Sequence, residues 1–306
     1  MIEFRNVSAS YVAEHALLKD VSFTIGKGEF VAFVGTNGAG KSTTMRLCNG
    51  LLKPMAGAVL VDGKPTTELK TSELARKVGF LFQNPDRQIC CSTVRDELEF
   101  SFKAQGKLDD AARAKVDAAI ERFGFDPDAE PYLLNRGTRQ LLALASIIVT
   151  EPPVIILDEP TTGLDYLECV KVMEVIRDLH EQGHTVIMVC HDMEVVADYA
   201  DRLIAMTRGS LVAEGPTDEI LRNREVLSRA DLIAPQCISI AQALCNRHPE
   251  LKATAIANAR TVEDLVAAIE EIRGASPCAG AANASAGTDA ANGAVLPGAS
   301  SSQEVR

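Results

Sequence analysis

The sequence predicts an α/β protein built on a mostly parallel central sheet. Two short runs rich in Val and Ile, residues 154–157 and 185–189, are each bounded by polar residues, as expected of central strands that helices cover on both faces. A third run, Phe30–Val34, is wholly apolar and leads into a glycine-rich turn. Segments with apolar residues at helical spacing separate and follow these runs, so strands and helices alternate.

The remaining elements follow from local patterning. Residues 4–12 and 16–35 alternate apolar and polar side chains, which predicts an antiparallel edge sheet leading into Phe30–Val34. "GSLVAEG" after Arg208 predicts a hairpin-like strand. Helical spacing marks residues 108–123, 139–149 and 166–182, and two amphipathic helices near residues 239–246 and 261–272. Residues 274–306 are dominated by Ala, Gly and Ser, and we expect them to be disordered.

Composition narrows the classes of function. The chain has 306 residues, of which 46% are hydrophobic, and 31 Lys and Arg stand against 42 Asp and Glu, giving a net charge of −11. Such a surface would repel phosphate backbones, so we expect no nucleic-acid partner. No apolar run approaches the roughly 20 residues of a membrane-spanning helix, and the first residues lack the pattern of a signal peptide. We therefore expect a protein that is made and kept in the cytoplasm.

The cysteines do not form a recognisable framework. Eight cysteines are scattered along the chain, only Cys90 and Cys91 are adjacent, and there is no CxxC pair. The five histidines do not cluster with them. The sequence therefore predicts reduced thiols and no structural zinc site.

The strongest chemical signal is "GTNGAGKST", residues 35–43, between an apolar strand and a predicted helix. The backbone N–H groups from Asn37 to Ser42 can wrap a polyphosphate at the positive end of the helix dipole. Lys41 would reach the β- and γ-phosphates, Ser42 would bind Mg²⁺, and Thr43 would contact the α-phosphate. The alternative is a glycine-rich turn that merely precedes an ordinary helix.

A second motif, "VIILDEP" at residues 154–160, ends an apolar strand in two carboxylates. Asp158 is placed to hold Mg²⁺ through water, and Glu159 can orient or deprotonate the water that attacks the γ-phosphate. Taken alone, this pair would be interpreted as helix N-terminal acids that favour the dipole. The phosphate-loop pattern upstream favours the catalytic interpretation.

These motifs, with "FQN", "LNRGTRQ", "LDEPTTGLD" and "VCHD" in the same order, resemble the nucleotide-binding subunits of ABC transporters over residues 1–220. "ALLKDVSF", "FLFQNPDRQ" and "APQCISIAQAL" look most like the ATPases of energy-coupling factor (ECF) importers. The resemblance implies a P-loop NTPase fold of the ABC ATPase type: a RecA-like parallel-sheet core, an antiparallel β subdomain and an α-helical subdomain near residues 90–150. A helical C-terminal extension at residues 221–273 and the tail at residues 274–306 would follow.

The resemblance also implies roles for single residues. Gln83 matches the residue that contacts Mg²⁺ and the attacking water, His191 the switch histidine at the γ-phosphate, and Asp165 the acid that communicates across an ATPase dimer. Without the family, these would be interpreted as a loop residue, a structural histidine and a helix-start acid. Tyr11 matches the aromatic position that stacks on adenine, or else packs on the core. The implied ATP-binding set is Tyr11, Gly35, Thr36, Asn37, Gly38, Ala39, Gly40, Lys41, Ser42 and Thr43.

One motif departs from the family. The Leu-Ser-Gly-Gly-Gln signature falls on residues 134–138, so Asn135, Arg136 and Gly137 occupy its centre and only Leu134 and Gly137 keep the pattern. In the family this signature contacts the ATP held by the other subunit, so the change affects the partner's site. Asn135 remains a good N-cap. Arg136 could clash with that nucleotide, donate to its γ-phosphate or simply face solvent.

These features favour an ATPase subunit that energises a membrane importer. Because the sequence predicts no membrane-spanning helix, we expect the subunit to dock on a membrane partner through Gln83–Gln88 and the helices of residues 93–123. The resemblance implies ATP and Mg²⁺ as ligands, a second identical or different ABC ATPase as partner, an integral membrane component, and a place at the cytoplasmic face of the membrane. The alternatives are a soluble ABC ATPase with a mechanical or regulatory role, and a subunit that binds ATP with little turnover. The C-terminal extension would either pair subunits or cover its own domain.

Overall fold

The computed structural model describes residues 1–11 and 17–275. Within them lie ten strands and eleven α-helices. The strands are β1 Ile2–Ala9, β2 Leu18–Ile25, β3 Phe30–Val34, β4 Ala56–Val61, β5 Lys64–Pro65, β6 Val78–Leu81, β7 Val154–Asp158, β8 Thr185–Val189, β9 Arg202–Thr207 and β10 Ser210–Pro216. The helices are α1 Lys41–Cys48, α2 Thr71–Leu74, α3 Val94–Gln105, α4 Asp110–Phe123, α5 Arg136–Ile148, α6 Tyr166–Glu181, α7 Met193–Tyr199, α8 Thr217–Arg222, α9 Arg224–Ala230, α10 Gln236–Arg247 and α11 Val262–Ala275.

The larger sheet has six strands in the order β10-β9-β3-β8-β7-β6. Every pair in it is parallel except β9 with β10, which form the predicted hairpin. Strands β3, β7 and β8 are buried along their whole length, which confirms the three central strands. Strand β7 runs one residue further than predicted, because Asp158 still pairs with Val189 in the ladder.

A second, antiparallel sheet has the order β2-β1-β4-β5. It confirms the antiparallel prediction, although it stands apart from the sheet that contains β3. The two sheets share an apolar core in which Phe23 contacts Phe4 and Phe33, with ring centroids 4.4 and 5.3 Å apart. The other face of the larger sheet packs against helices, so this sheet is buried on both sides.

The predicted helices are confirmed with small shifts. Helix α4 starts two residues after residue 108, and α6 ends one residue before residue 182. Helix α5 starts at Arg136, three residues before the predicted start at 139, because the Asn135 side chain caps it by accepting from the Thr138 N–H at 2.8 Å. The apolar periodicity begins only after this polar first turn, so spacing alone placed the start too late.

The C-terminal helices pack in two groups. Leu221, Leu227, Ala230 and Ile238 belong to the main core, whereas a small separate core begins at Ala241 in α10 and continues into α11. The two amphipathic predictions are confirmed as α10 and α11. The tail prediction falls mostly outside the described residues, which end at Ala275. Among the described helices, none is both long and apolar enough to cross a membrane.

Candidate functional site

The phosphate loop joins the end of β3 to the start of α1. At Gly40, φ is +100°, and a Cβ there would lie 2.5 Å from Leu18 Cδ2. At Gly35, φ is +139°, and a Cβ would lie 2.0 Å from the Met206 carbonyl oxygen. Only glycine fits these two positions, so the loop can follow a path close to the sheet and present its N–H groups at the start of α1. A cavity of about 230 Å³ lies over this start, bounded by Leu17, Asn37, Gly38, Ala39, Gly40, Lys41, Ser42, Thr43, Glu159 and His191.

Lys41 lies beneath this cavity. Its Nζ donates to the carbonyl oxygens of Gly35 at 2.7 Å and Thr36 at 3.0 Å, and the residue is only 5% exposed. Burial lowers the pKa of Lys41, while the charges of Glu159 and Asp158 oppose that shift. A buried ammonium is costly unless anions compensate it, so the cavity suits a negatively charged ligand.

Two oxygen groups meet where α1 begins and β7 ends. Ser42 Oγ donates to Asp158 Oδ1 at 3.1 Å. Burial raises the pKa of Asp158, which is 7% exposed, and the hydrogen bond from Ser42 opposes that shift. Hydroxyl, carboxylate and amide oxygens are the ligands that Mg²⁺ accepts. A cavity of about 320 Å³ beside them is lined by Ser42, Arg46, Phe82, Gln83, Asn84, Arg87 and Asp158, so this donor set fits a hydrated Mg²⁺.

Glu159 is held by three side chains. Its Oε2 accepts from Gln83 Nε2 at 2.6 Å and from Thr162 Oγ1 at 3.0 Å, and its Oε1 lies 2.6 Å from His191 Nε2. Gln83, Glu159 and His191 follow the neighbouring parallel strands β6, β7 and β8. Because the carboxyl ends of parallel strands meet at one edge of the sheet, residues far apart in the sequence converge here.

The backbone of Glu159 is in the left-handed region, with φ of +53°. Its N–H still donates to the Val189 carbonyl at 3.0 Å, so the strand ladder ends here and the chain turns away. Such conformations cost free energy in a residue with a Cβ and cluster at functional sites. The turn places the carboxylate on the wall of the phosphate-loop cavity, where it could accept a proton from a water molecule.

The signature residues lie away from this cavity, at the start of α5. Arg136 is exposed, and its Nη2 donates to the Thr162 carbonyl oxygen at 2.9 Å. Its guanidinium lies against Gly163, where an added Cβ would be 2.8 Å from Cζ. Gly137 is buried, and a Cβ there would be 2.1 Å from Glu168 Oε1. Arg136 is thus the first residue of a helix and contacts its own chain, rather than lying in a free surface loop.

Asp165 caps α6. Its side chain accepts from the Glu168 N–H at 2.8 Å, while Glu168 Oε2 accepts from the Asp165 N–H at 3.2 Å. The same Glu168 packs on Gly137. The capping box therefore links the start of α6 to the signature.

Tyr11 lies beside α1 rather than in the core. It is 50% exposed, its hydroxyl accepts from Arg46 Nη1 at 2.7 Å, and the guanidinium of Arg46 lies 5.6 Å from the ring centroid. Core packing is therefore wrong for this residue. Its role at adenine stays a prediction.

Comparison with known proteins gives the family. A sequence family described as ABC transporter matches residues 18–162. The energy-coupling factor transporter ATP-binding protein EcfA of Methanothermobacter thermautotrophicus is 36% identical over 248 residues, which make up 80% of this chain and 80% of that relative. This chain belongs to the ABC transporter ATP-binding proteins. It has the fold of an ATP-binding cassette.

Solved ABC cassettes share the fold. The structure of cbiO1 from Clostridium perfringens, described as part of the ABC transporter complex cbiONQ, has a TM-score of 0.66 and 29% identity, covering 82% of this chain and 96% of that one. A dimeric cassette bound to ADP and Pi has a TM-score of 0.62 and 30% identity, covering 71% and 99%. The chain spans 35–43% of the length of three further ABC transporter ATP-binding proteins that it matches, from Caldanaerobacter subterraneus and two Methanosarcina species.

Sequence reasoning missed three residues of this ABC cassette's candidate site. Thr162 contacts both Glu159 and Arg136, Arg46 holds Tyr11, and Leu17 lines the phosphate-loop cavity. Thr162 did carry a signal, since it lies only three residues after Glu159 in the same turn. Arg46 lies at helical spacing from the loop and gave no comparable signal.

Proposed function

We propose that this chain is the ATP-binding and ATP-hydrolysing subunit of an ECF-type importer, which takes up a vitamin or a metal ion. It works in a dimer with a second ABC ATPase, bound to a membrane component at the cytoplasmic face. The names of the relative EcfA and of the cbiONQ subunit support this assignment. The observation that carries the hydrolytic part is the Glu159 carboxylate, held by Gln83, Thr162 and His191 on the wall of the phosphate-loop cavity.

Binding of ATP uses the loop and its helix. The N–H groups from Asn37 to Ser42 surround the phosphates, and Thr43 contacts the α-phosphate. Lys41 exchanges the carbonyl oxygens of Gly35 and Thr36 for the β- and γ-phosphate oxygens, which supply the counter-charge that its buried ammonium needs. Tyr11, exposed and oriented by Arg46, stacks on adenine.

Ser42, Asp158 and Gln83 would hold Mg²⁺, which neutralises charge on the phosphates when it is bound. Glu159 orients the attacking water and accepts its proton. In the structure Glu159 Oε2 already accepts from two donors, whereas Oε1 contacts only His191 Nε2 and keeps a lone pair that a water can use. His191 is the donor we expect to move, because as the switch histidine it turns from Glu159 to the γ-phosphate.

The signature acts on the other subunit of the dimer. In the head-to-tail arrangement, residues 135–137 approach the partner's ATP, and Asp165 communicates with the other subunit across the interface. The side-chain oxygen of Asn135 already accepts the hydrogen bond that caps α5. The guanidinium of Arg136 already donates to the Thr162 carbonyl oxygen. We infer an asymmetric pair, in which this chain carries a full set of hydrolytic residues and gives its partner a weakened signature.

A further, largely apolar cavity suits the membrane component. It measures about 280 Å³ and is lined by Asn49, Leu51, Thr71, Ala75, Val78, Gly79, Phe80, Phe82, Gln88, Glu97, Phe100, Ser101, Ser146, Ile147 and Thr150. Gln88 and Phe100 come from the segment after Gln83 and from α3, which sequence analysis predicts as the docking face. Phe100 is 47% exposed, as expected of a residue that a partner covers. The relatives' transporter names do not favour a soluble mechanical ATPase.

The assignment is tested by purifying the tagged chain from membranes of its own cells. We expect a complex that contains a second ABC ATPase and an integral membrane protein, and that hydrolyses ATP. The Glu159→Gln complex should assemble equally and lose hydrolysis, while Glu151→Gln, an exposed carboxylate paired with Lys115, should behave as the unmodified chain. Recovery of the chain without any membrane protein would contradict the transport role, and full hydrolysis by Glu159→Gln would contradict the catalytic one.

A further inference from the structure

Two adjacent thiols meet a buried carboxylate outside the nucleotide site. Cys90 and Cys91 lie between the turn that follows Gln83 and the start of α3, and Glu97 lies one turn into α3. The sulfur atoms of both cysteines and a carboxylate oxygen of Glu97 all lie within 4.8 Å of one another. The sequence gave no sign of this group, because a glutamate six residues after a cysteine pair matches no ligand spacing.

The three residues are held together by backbone hydrogen bonds. Glu97 Oε2 accepts from the N–H groups of Cys90 and of Cys91, both at 2.9 Å. Glu97 is 3% exposed, whereas Cys90 is exposed and Cys91 is half-buried. A buried carboxylate thus fixes the orientation of the dipeptide, and one side of the group remains open to solvent.

The surroundings of both thiols favour the protonated form. Burial and the charge of Glu97 raise the pKa of Cys90, and the same two causes raise the pKa of Cys91 to about 12. A protonated thiol is a poor nucleophile, so the pair resists oxidation. A cation placed between the two sulfurs and the carboxylate would compensate the charge of two thiolates there.

We propose that Cys90, Cys91 and Glu97 form a binding site for a thiophilic divalent cation of the Zn²⁺ class. In tetrahedral geometry with Zn–S bonds of about 2.3 Å, two sulfurs lie about 3.8 Å apart. The separation of at most 4.8 Å therefore needs to close by about 1 Å, which rotation of the exposed Cys90 side chain can supply. Two Zn–S bonds and one Zn–O bond form, both thiol protons leave to solvent, and a water takes the fourth position on the open side.

The two sulfurs and one carboxylate of this group do not suit Mg²⁺, the cation expected at the nucleotide site. Mg²⁺ and Ca²⁺ require oxygen ligands, and this group offers one carboxylate. Thiolate pairs select soft or borderline ions. A disulfide between Cys90 and Cys91 would instead need an oxidant, and the raised thiol pKa values disfavour the thiolate that must attack.

A bound cation would fasten the turn after Gln83 to α3. Glu97 and Gln88 both line the apolar cavity of the proposed docking face, and Gln83 contacts Glu159 only seven residues before Cys90. The site would therefore stiffen the segment that joins the hydrolytic carboxylate to the docking face. Cation binding itself does not depend on the proposed transport function.

The test uses the full chain, reduced and stripped of metal, without nucleotide. Zn²⁺ is titrated in competition with a chromophoric chelator, and Cd²⁺ is titrated by its thiolate charge-transfer absorption. We expect one equivalent of Zn²⁺, a loss of affinity of at least about 100-fold in Cys90→Ser/Cys91→Ser, and a loss of about tenfold in Glu97→Gln. The matched control Cys169→Ser, a half-buried thiol on α6, should bind as the unmodified chain does.

A second measurement needs no variant. Alkylation of the unmodified chain followed by peptide mass spectrometry should show Cys90 and Cys91 protected together by Zn²⁺, and Cys169 equally labelled with and without it. Unchanged Zn²⁺ affinity in the double serine variant, or labelling of Cys90 and Cys91 that Zn²⁺ does not alter, would overturn the proposal. So would protection that appears only on oxidation and is reversed by reductant, since that marks a disulfide.

Discussion

The nucleotide half and the signature half of this cassette are built differently. Glu159, Gln83 and His191 extend from the ends of three neighbouring parallel strands, and their contacts join residues up to 76 positions apart. The signature lies at the exposed start of one helix, where Asn135 caps its own helix and Arg136 makes an exposed hydrogen bond to the Thr162 carbonyl. The first half is fixed by a buried sheet, whereas the second depends on helix capping and surface contacts.

The signature itself contains the same contrast on a smaller scale. Gly137 is buried against Glu168 and has no space for a Cβ, and it keeps the family pattern. Its neighbour Arg136 points to the surface and has replaced a glycine. The geometry therefore shows that internal packing constrains position 137, whereas at position 136 the constraint would come from the partner's nucleotide in the dimer that we propose.

The largest effect we expect is on hydrolysis by Glu159→Gln. The amide keeps the shape of the side chain but cannot accept a proton from water, so kcat should fall by about 100-fold or more. ATP affinity, measured by equilibrium dialysis, should change less than about threefold. A kcat within a factor of two of the unmodified complex would show that another group is the base.

A smaller loss is expected when the groups that hold Glu159 are removed. Gln83→Ala and His191→Ala should each lower kcat by about tenfold, because the carboxylate loses one of its donors but keeps the ability to take a proton. Because these residues also face the nucleotide, KM should rise in His191→Ala. Thr162→Val, which removes only the hydroxyl bond to Glu159, serves as the milder comparison, and an equal loss in all three would contradict a distinct role for His191.

The buried carboxylate of Asp158 tests how a charge in the nucleotide half affects the thermal stability of the chain. Since burial raises its pKa, the folded state favours the neutral form, and stability falls as pH rises through the range between its unfolded and folded pKa values. Asp158→Asn should therefore raise Tm of the nucleotide-free chain at neutral pH by about 2–4 °C. It should also abolish the further rise that Mg-ATP gives. A lower Tm without nucleotide would contradict the account of burial.

The two signature positions should respond differently in thermal unfolding. Gly137→Ala displaces Glu168 from the capping box of α6 and should lower Tm by about 2–4 °C. Arg136→Ala loses one exposed hydrogen bond and should change Tm by about 1 °C or less. Equal shifts at the two positions would remove the physical basis for distinguishing them.

Much of the nucleotide half could be predicted from the sequence, because it combines apolar strands with turns that only certain residues can form. The ends of β3, β7 and β8 were correctly placed to within one residue, and the glycines at 35 and 40 follow from the loop's path. Contacts that depend on tertiary packing could not be predicted in this way. Arg136 on Thr162, Arg46 on Tyr11, and Glu97 beside Cys90 and Cys91 each join segments whose local patterns carry no sign of the other.

We propose that the signature of this chain weakens a site shared with its partner, while the chain's own hydrolytic residues remain complete. The most direct measurement is steady-state ATPase in the assembled complex with Asn135→Ser and Arg136→Gly combined, which restores the family pattern at both positions. The exposed Arg229→Ala is the control and should leave the rate unchanged. We predict a rise of a few-fold at saturating ATP. A fall would contradict the claim, because it would show that Arg136 is a working ligand of the partner's phosphate.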